Sequence, residues 1–214
     1  MKYSNEHRGK NFSIEINNPH IEGGMVSKHP FYEGVMLDWI NDNIPHGGEY
    51  IDIGGYVGNH AIYFALFCTS DLVYSFEPVY YHQLRKNVEE NDICNVIYLP
   101  YGLSDEHCVM GSVDRSNGGN SAATSLVDGE GVSVRMLDDF IETFSNVRLI
   151  KIDVEGMEEK VLAGGMNTIR KFRPHIFVEI NTEDRLKRID EGLGSLGYTR
   201  VRRFNSTPTY YYQP

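Results

Sequence analysis

The chain has 214 residues, of which 41% are hydrophobic and 23% charged, and its formal net charge is −10. This composition is that of a soluble globular protein, and the length suffices to bury a core without disulfides or a structural metal. A negative balance argues against nucleic acid as the main partner, because phosphate backbones are held by clustered Lys and Arg.

Cys68, Cys94 and Cys108 are widely spaced, which gives neither a disulfide framework nor a zinc signature. A reducing, cytoplasmic setting is expected, with Cys68 buried as free cysteines usually are. The N-terminus is polar, and the longest apolar stretch, residues 61–68, is far too short to span a bilayer. Neither a membrane nor a nucleic acid is expected among the partners.

Residues 1–30 read as an irregular or short-stranded arm, followed by a single domain over 31–214. Residues 31–43 form an amphipathic helix, stopped by Pro45 and Gly47-Gly48. A repeated pattern then begins. Strands are expected at 49–54, 71–76, 95–99, 148–152 and 175–180. Helices are expected at 57–67, 79–91, 157–172 and 183–196. Residues 198–204 and 209–212 close the chain as a hairpin around Asn205-Ser206. Strands alternating with helices imply an α/β fold with a mostly parallel sheet and helices on both faces. The hairpin adds an antiparallel strand. An insertion at about 104–136 contains a Gly/Asn/Ser-rich run, 116–123, that reads as a flexible loop. Arg200, Arg202 and Arg203 form the one compact basic cluster. Alternation puts Arg200 and Arg202 on one face of a solvated edge strand, which could locally hold an anionic group.

The first strand runs into Asp52-Ile-Gly54-Gly55-Tyr56-Val-Gly58-Asn59-His60. Glycines between a strand and a helix let the backbone turn tightly and let a ligand approach beyond the carboxyl ends of the strands. The dinucleotide pattern GxGxxG fails here, because Tyr56 and Asn59 stand where it needs glycine. A pyrophosphate would be repelled by Asp52, whereas a sulfonium or ammonium would be attracted, so S-adenosylmethionine fits better. Glu77, in Phe76-Glu77-Pro78, stands where a carboxylate can accept both ribose hydroxyls of an adenosine. Pro78 stops the strand and can start the next helix. Ser104 and Asp105 end the third strand, where a carboxylate and an amide could read the adenine edge; they equally suit an ordinary turn.

Together these motifs resemble the FkbM family of methyltransferases. The further carriers are Leu137-Asp-Asp139, Lys151-Ile-Asp153-Val-Glu155-Gly156, Val161-Leu-Ala-Gly-Gly165, Arg173-Pro174 and Val178-Glu179. They appear in the family's order over roughly 31–181. Gly55 and Tyr56 depart from it, standing where an alanine and an asparagine are common. The resemblance implies a Rossmann-like class I methyltransferase fold, here with a seven-stranded sheet, and S-adenosyl-L-methionine as methyl donor. It also implies O-methylation of small-molecule or glycan acceptors, with a sugar hydroxyl the first choice.

Methyl transfer to an alcohol requires the acceptor to be positioned and its proton removed. Asp153, at the carboxyl end of the fourth strand, is expected to face the methyl group as base or acceptor anchor. Lys151 and Glu155 share its face by alternation and could contact the acceptor. Lys151 equally suits a structural ion pair, and Glu155 a helix N-terminus. Glu179 is a second candidate base. Asp153, Glu179 and Asn181 could hold magnesium or manganese. His60 opens a helix, which favours a neutral imidazole able to take a proton; burial in the core is its plainer reading. Asn117 and Ser121 could read acceptor hydroxyls from the insertion loop. Tyr80 and Tyr81 could stack on adenine or sugar, or serve only in packing. Two alternatives compete: a catalytically inert methyltransferase-like binding module, against which Asp52, Glu77, Asp153 and Glu179 argue, and a nicotinamide-dependent oxidoreductase, against which the broken GxGxxG argues.

Overall fold

Thirteen strands and six helices are seen in the computed structural model of the chain, which describes residues 2–18, 21, 23, 25, 29–114 and 124–214. In chain order they are β1 (Lys2–His7), β2 (Lys10–Glu15), α1 (Gly34–Asn43), β3 (Glu49–Ile53), α2 (Asn59–Phe67), β4 (Leu72–Phe76), α3 (Tyr81–Glu89), β5 (Val96–Leu99), β6 (Gly102–Leu103), β7 (Cys108–Asp114), β8 (Thr124–Asp128), β9 (Val132–Arg135), β10 (Val147–Ile152), α4 (Glu158–Gly164), α5 (Met166–Phe172), β11 (His175–Glu179), α6 (Glu183–Ser195), β12 (Thr199–Phe204) and β13 (Thr209–Gln213).

The main sheet has the order β12-β13-β11-β10-β3-β4-β5, with only β13 antiparallel to its neighbours. Alternation along each strand sends side chains to two separate cores. Tyr50, Val73, Leu149, Phe177 and Tyr211 pack with α1, α2, α3 and β2. Ile51, Phe76, Ile150, Ile176 and Tyr212 pack with α4, α5 and α6 on the other face. Both faces are therefore covered, as an internal parallel sheet requires. Among the described residues, no helix is long and apolar enough to cross a membrane. Cys68 is buried, and all three cysteines are free.

Two sequence expectations need correction, the single helix at 157–172 and the alternation of the arginines. Of the two alternatives for the arm, the short-stranded one forms at its start, where β1 and β2 make a hairpin whose Phe12 and Ile14 enter the core. Asn87 on α3 and Asn91, two residues past its end, bond the main chain of β2: Glu15 N–H donates to Asn87 Oδ1 (2.8 Å) and Ser13 N–H to Asn91 Oδ1 (2.8 Å). Around its Gly/Asn/Ser-rich run the insertion region carries β6, β9, β7 and β8, which form a second, four-stranded sheet. Residues 115–123, with Asn117 and Ser121, lie outside the described residues. The helix expected at 157–172 is two helices broken at Gly165. Asp138 starts the second one by accepting from the Asn167 and Thr168 amides at 3.0 and 2.8 Å. Finally, a bulge between Arg200 and Arg202 defeats the alternation. Arg200 pairs with Asp190 on α6, whereas Arg202 lies over Trp39 on α1.

Candidate functional site

The loop after β3 is shaped by contact between strand ends. Gly54 (φ +84°) and Gly55 both donate their amides to Phe76 O, at 2.9 and 3.1 Å. A Cβ on Gly54 would overlap the Asp153 carbonyl oxygen, and one on Gly55 the Ser75 hydroxyl. Tyr56 and Gly58, also at positive φ, complete the turn into α2. Glu77, just beyond β4, is buried and ties this loop together. Its Oε2 accepts from Tyr56 N–H (2.8 Å), and its Oε1 accepts from Val79 and Tyr80 N–H (2.7 and 2.9 Å). Burial pushes the Glu77 pKa up, and the three amides oppose that rise. The Tyr56 and Tyr80 rings pack edge to face with centroids 4.7 Å apart.

Carboxylates gather beyond β10 and β11. Asp153, Glu155 and Glu179 each place an oxygen within 4.8 Å of the others. Lys151 Nζ donates to Asp153 Oδ2 at 2.8 Å. Burial disfavours that ammonium, but Asp153, Glu33 and Glu179 outweigh burial and raise its pKa. Glu179 has no such cation of its own. Burial first, then repulsion from Asp153, pushes its pKa up to about 9. Glu155 is held at φ +50°, in the left-handed region that non-glycine residues rarely occupy.

These two ends face one crevice enclosing about 1000 Å³. Gly54, Tyr56, Glu77 and Pro78 line one part; Asp153, Glu155 and Glu179 line the other. Ile53, Phe76, Leu103 and Val154 supply apolar wall between them. The convergence of Gly54, Glu77 and Asp153 expected from the sequence is thus present.

Other expected residues sit elsewhere. Lys151 is fully buried and so cannot contact an acceptor; it supports Asp153 from behind. In register across the sheet, Ser75, Asp52 and Lys151 form one buried polar row. Ser75 Oγ donates to Asp52 Oδ2 at 3.2 Å, while Asp52 Oδ1 is buried with no hydrogen-bond partner among the described residues. Asp52 therefore acts beneath the loop rather than on the crevice wall. Gly55 and Gly58 shape the turn without lining the crevice. His60 is buried, with Nε2 3.1 Å from Glu33 Oε2 but misaligned for a hydrogen bond. It too lies off the crevice, so its expected catalytic role is withdrawn. Asn59 pairs with the Tyr32 backbone, donating to its carbonyl at 3.0 Å and accepting from its amide at 3.1 Å. Ser104 donates its amide to Arg135 O and its hydroxyl to Asp105, and neither residue reaches the crevice. Tyr101 and Leu103 line it instead. Asn181 lines an outer groove, where its Oδ1 accepts from Arg185 at 3.4 Å; of the expected metal set, Asp153 and Glu179 stand together, with Glu155 beside them.

The sequence reading missed part of the wall. Ile21 and Tyr32 reach it from the N-terminal segment, Thr124 and Leu126 from the insertion, and Thr207 from the last turn. Tyr80 Oη lies 3.3 Å from Thr124 Oγ1, tying the insertion to the Glu77 side of the wall.

Residues 52–199 match the methyltransferase FkbM domain. The chain belongs to the FkbM methyltransferase family. No curated protein sequence matches it. Among solved structures, it is similar to an FkbM methyltransferase from Methylobacillus flagellatus KT, with 17% identity and a TM-score of 0.58 over 80% of this chain. The match spans 45% of that protein, so this chain covers about half the length of that FkbM relative. A precorrin-6y C5,15-methyltransferase from Geobacter metallireducens GS-15 shares 17% identity at a TM-score of 0.53, covering 88% of each chain. TrmK of M. capricolum, solved in complex with S-adenosyl-homocysteine, shares 14% identity at 0.52, covering 83% of this chain and 65% of that one. At these identities the likeness is one of fold.

Proposed function

We propose that this FkbM chain transfers the methyl group of S-adenosylmethionine to a hydroxyl oxygen of a sugar or glycan. The observation that carries the reading is the single crevice shared by Gly54, Glu77 and Asp153. Its donor set suits a cationic nucleoside. Each Glu77 oxygen has two lone-pair sites, and Oε2 spends only one on Tyr56, leaving capacity for ribose hydroxyls. Ile53, Phe76 and Leu103 offer apolar surface to a purine, and the carboxylates at the far end favour positive charge. When bound, the donor supplies an activated methyl group on a sulfonium.

The chain's own residues do the rest. Asp153 gives one oxygen to Lys151 and keeps the other to orient the acceptor hydroxyl. Glu179, with no hydrogen-bond partner among the described residues, takes the proton that the hydroxyl loses from its ionised form, which a sulfonium bound beside these carboxylates would favour against burial and Asp153. Lys151 places a positive charge behind Asp153, so the reading assigns no step to a divalent ion. Turnover is therefore expected to survive EDTA.

The test is release of adenosylhomocysteine when the protein and adenosylmethionine meet a panel of saccharides and of apolar hydroxylated compounds. Turnover on a saccharide supports the reading. Turnover confined to the apolar compounds, or to amines, would overturn the choice of acceptor.

A further inference from the structure

The order of strand ends along the sheet gives the crevice a direction. Glu77 follows β4, Gly54 follows β3, Asp153 follows β10, and Glu179 ends β11 with Asn181 just beyond it, the strands being neighbours in that order. With adenosine at the Glu77 end, the acceptor enters from the β11 side. On that side the crevice wall continues past Glu155 into a second, open groove enclosing about 900 Å³. Glu155 lines both. Ser125 of the insertion donates its hydroxyl to Glu155 O at 3.2 Å, fixing the rim between them.

The groove is lined by Ser125, Asn181, Thr182, Asp184, Arg185 and Arg188, beside Glu155, with no apolar side chain. Glu155 and Asp184 formally cancel Arg185 and Arg188, so the groove has no net attraction for a polyanion. Arg188 is already committed to Glu159, with contacts of 2.6 and 2.8 Å. Arg185 is not: its nearest partners are Asn181 Oδ1 at 3.4 Å and Glu158 Oε2 at 3.6 Å. A planar fork of donors held loosely, beside an amide, a hydroxyl and a carboxylate, matches the vicinal hydroxyls of a sugar ring.

We infer that this groove is a second acceptor subsite, which holds the neighbouring unit of an oligosaccharide while the unit to be methylated sits in the crevice. Arg185, Asn181 and Asp184 bind the neighbouring unit's hydroxyls. The inference rests on the proposed sugar acceptor and adds to it a minimum acceptor length of two units.

The test is retention of the adenosylhomocysteine-loaded protein on an array of monosaccharides and of di- to tetrasaccharides. The wild type is compared with Arg185→Ala and Asp184→Asn. Affinity for adenosylhomocysteine, measured on each variant, reports an intact fold, since neither residue lines the crevice. The expected result is retention on saccharides of two or more units, weakened at least tenfold by Arg185→Ala and less by Asp184→Asn. Equal retention of monosaccharides and longer chains, unmoved by both substitutions, would overturn the groove and leave the sugar acceptor standing. No retention on any saccharide by protein that still binds adenosylhomocysteine would overturn both.

Discussion

At the Glu77 end of the crevice each carboxylate oxygen is met by amides from its own neighbourhood, residues 56, 79 and 80. At the Asp153 end the charges are unbalanced. One buried ammonium, Lys151, stands among Asp153, Glu33 and Glu179, and Glu179 holds its proton up to about pH 9. The first end is preorganised by short-range structure, as recognition of a constant ligand portion needs. The second is assembled from β10, β11 and the segment before α1, and its unspent electrostatic energy suits proton transfer. The difference separates binding from chemistry along one groove.

The largest expected effect is at the second end. Asp153→Ala should lower turnover about 10²–10⁴-fold, with adenosylmethionine affinity changed far less; initial rates and calorimetric titration check both. Unchanged turnover would remove Asp153 from the reaction. At the first end the pattern should reverse. Glu77→Gln, which keeps the shape but can no longer accept through both atoms, should weaken cofactor binding by on the order of 1.5–3 kcal/mol. The same substitution should also lower the melting temperature, because the Val79, Tyr80 and Tyr56 amides lose a charged acceptor.

A smaller effect sharpens the electrostatic contrast. The Glu179 pKa is raised in the folded state, so the native protein binds its proton more tightly than the unfolded chain does. Stability is then fully present below the ordinary glutamate range and declines as pH rises towards about 9. Glu179→Gln should remove that decline, stabilising the protein by on the order of 1–2 kcal/mol at pH 9–10 and by little at pH 4. Chemical denaturation across that range reads it. Equal effects at both pH values would show that Glu179 carries no such strain.

What was legible in the sequence tracks this division. The Gly54 turn, Glu77 and Asp153 were readable because strand, glycine and helix lie within a few residues of one another. Alternation put Lys151 on the Asp153 face but could not show its burial, which depends on what packs over that face of the sheet. The same cover takes His60 out of the crevice. Tyr32, Thr124 and Thr207 arrive from segments with no shared pattern, and their place follows from tertiary packing alone. The Arg200–Arg202 bulge and the Gly165 break were missed for a related reason: each is one residue's departure from a periodic rule, forced by what packs on either side.

Calorimetric titration of the purified protein with adenosylmethionine, adenosylhomocysteine and NAD tests the central claim most directly. The account predicts one site that binds both sulfur nucleosides competitively, is weakened by Glu77→Gln, and ignores NAD. A folded protein that binds neither sulfur nucleoside, or whose site is taken by NAD, would contradict it.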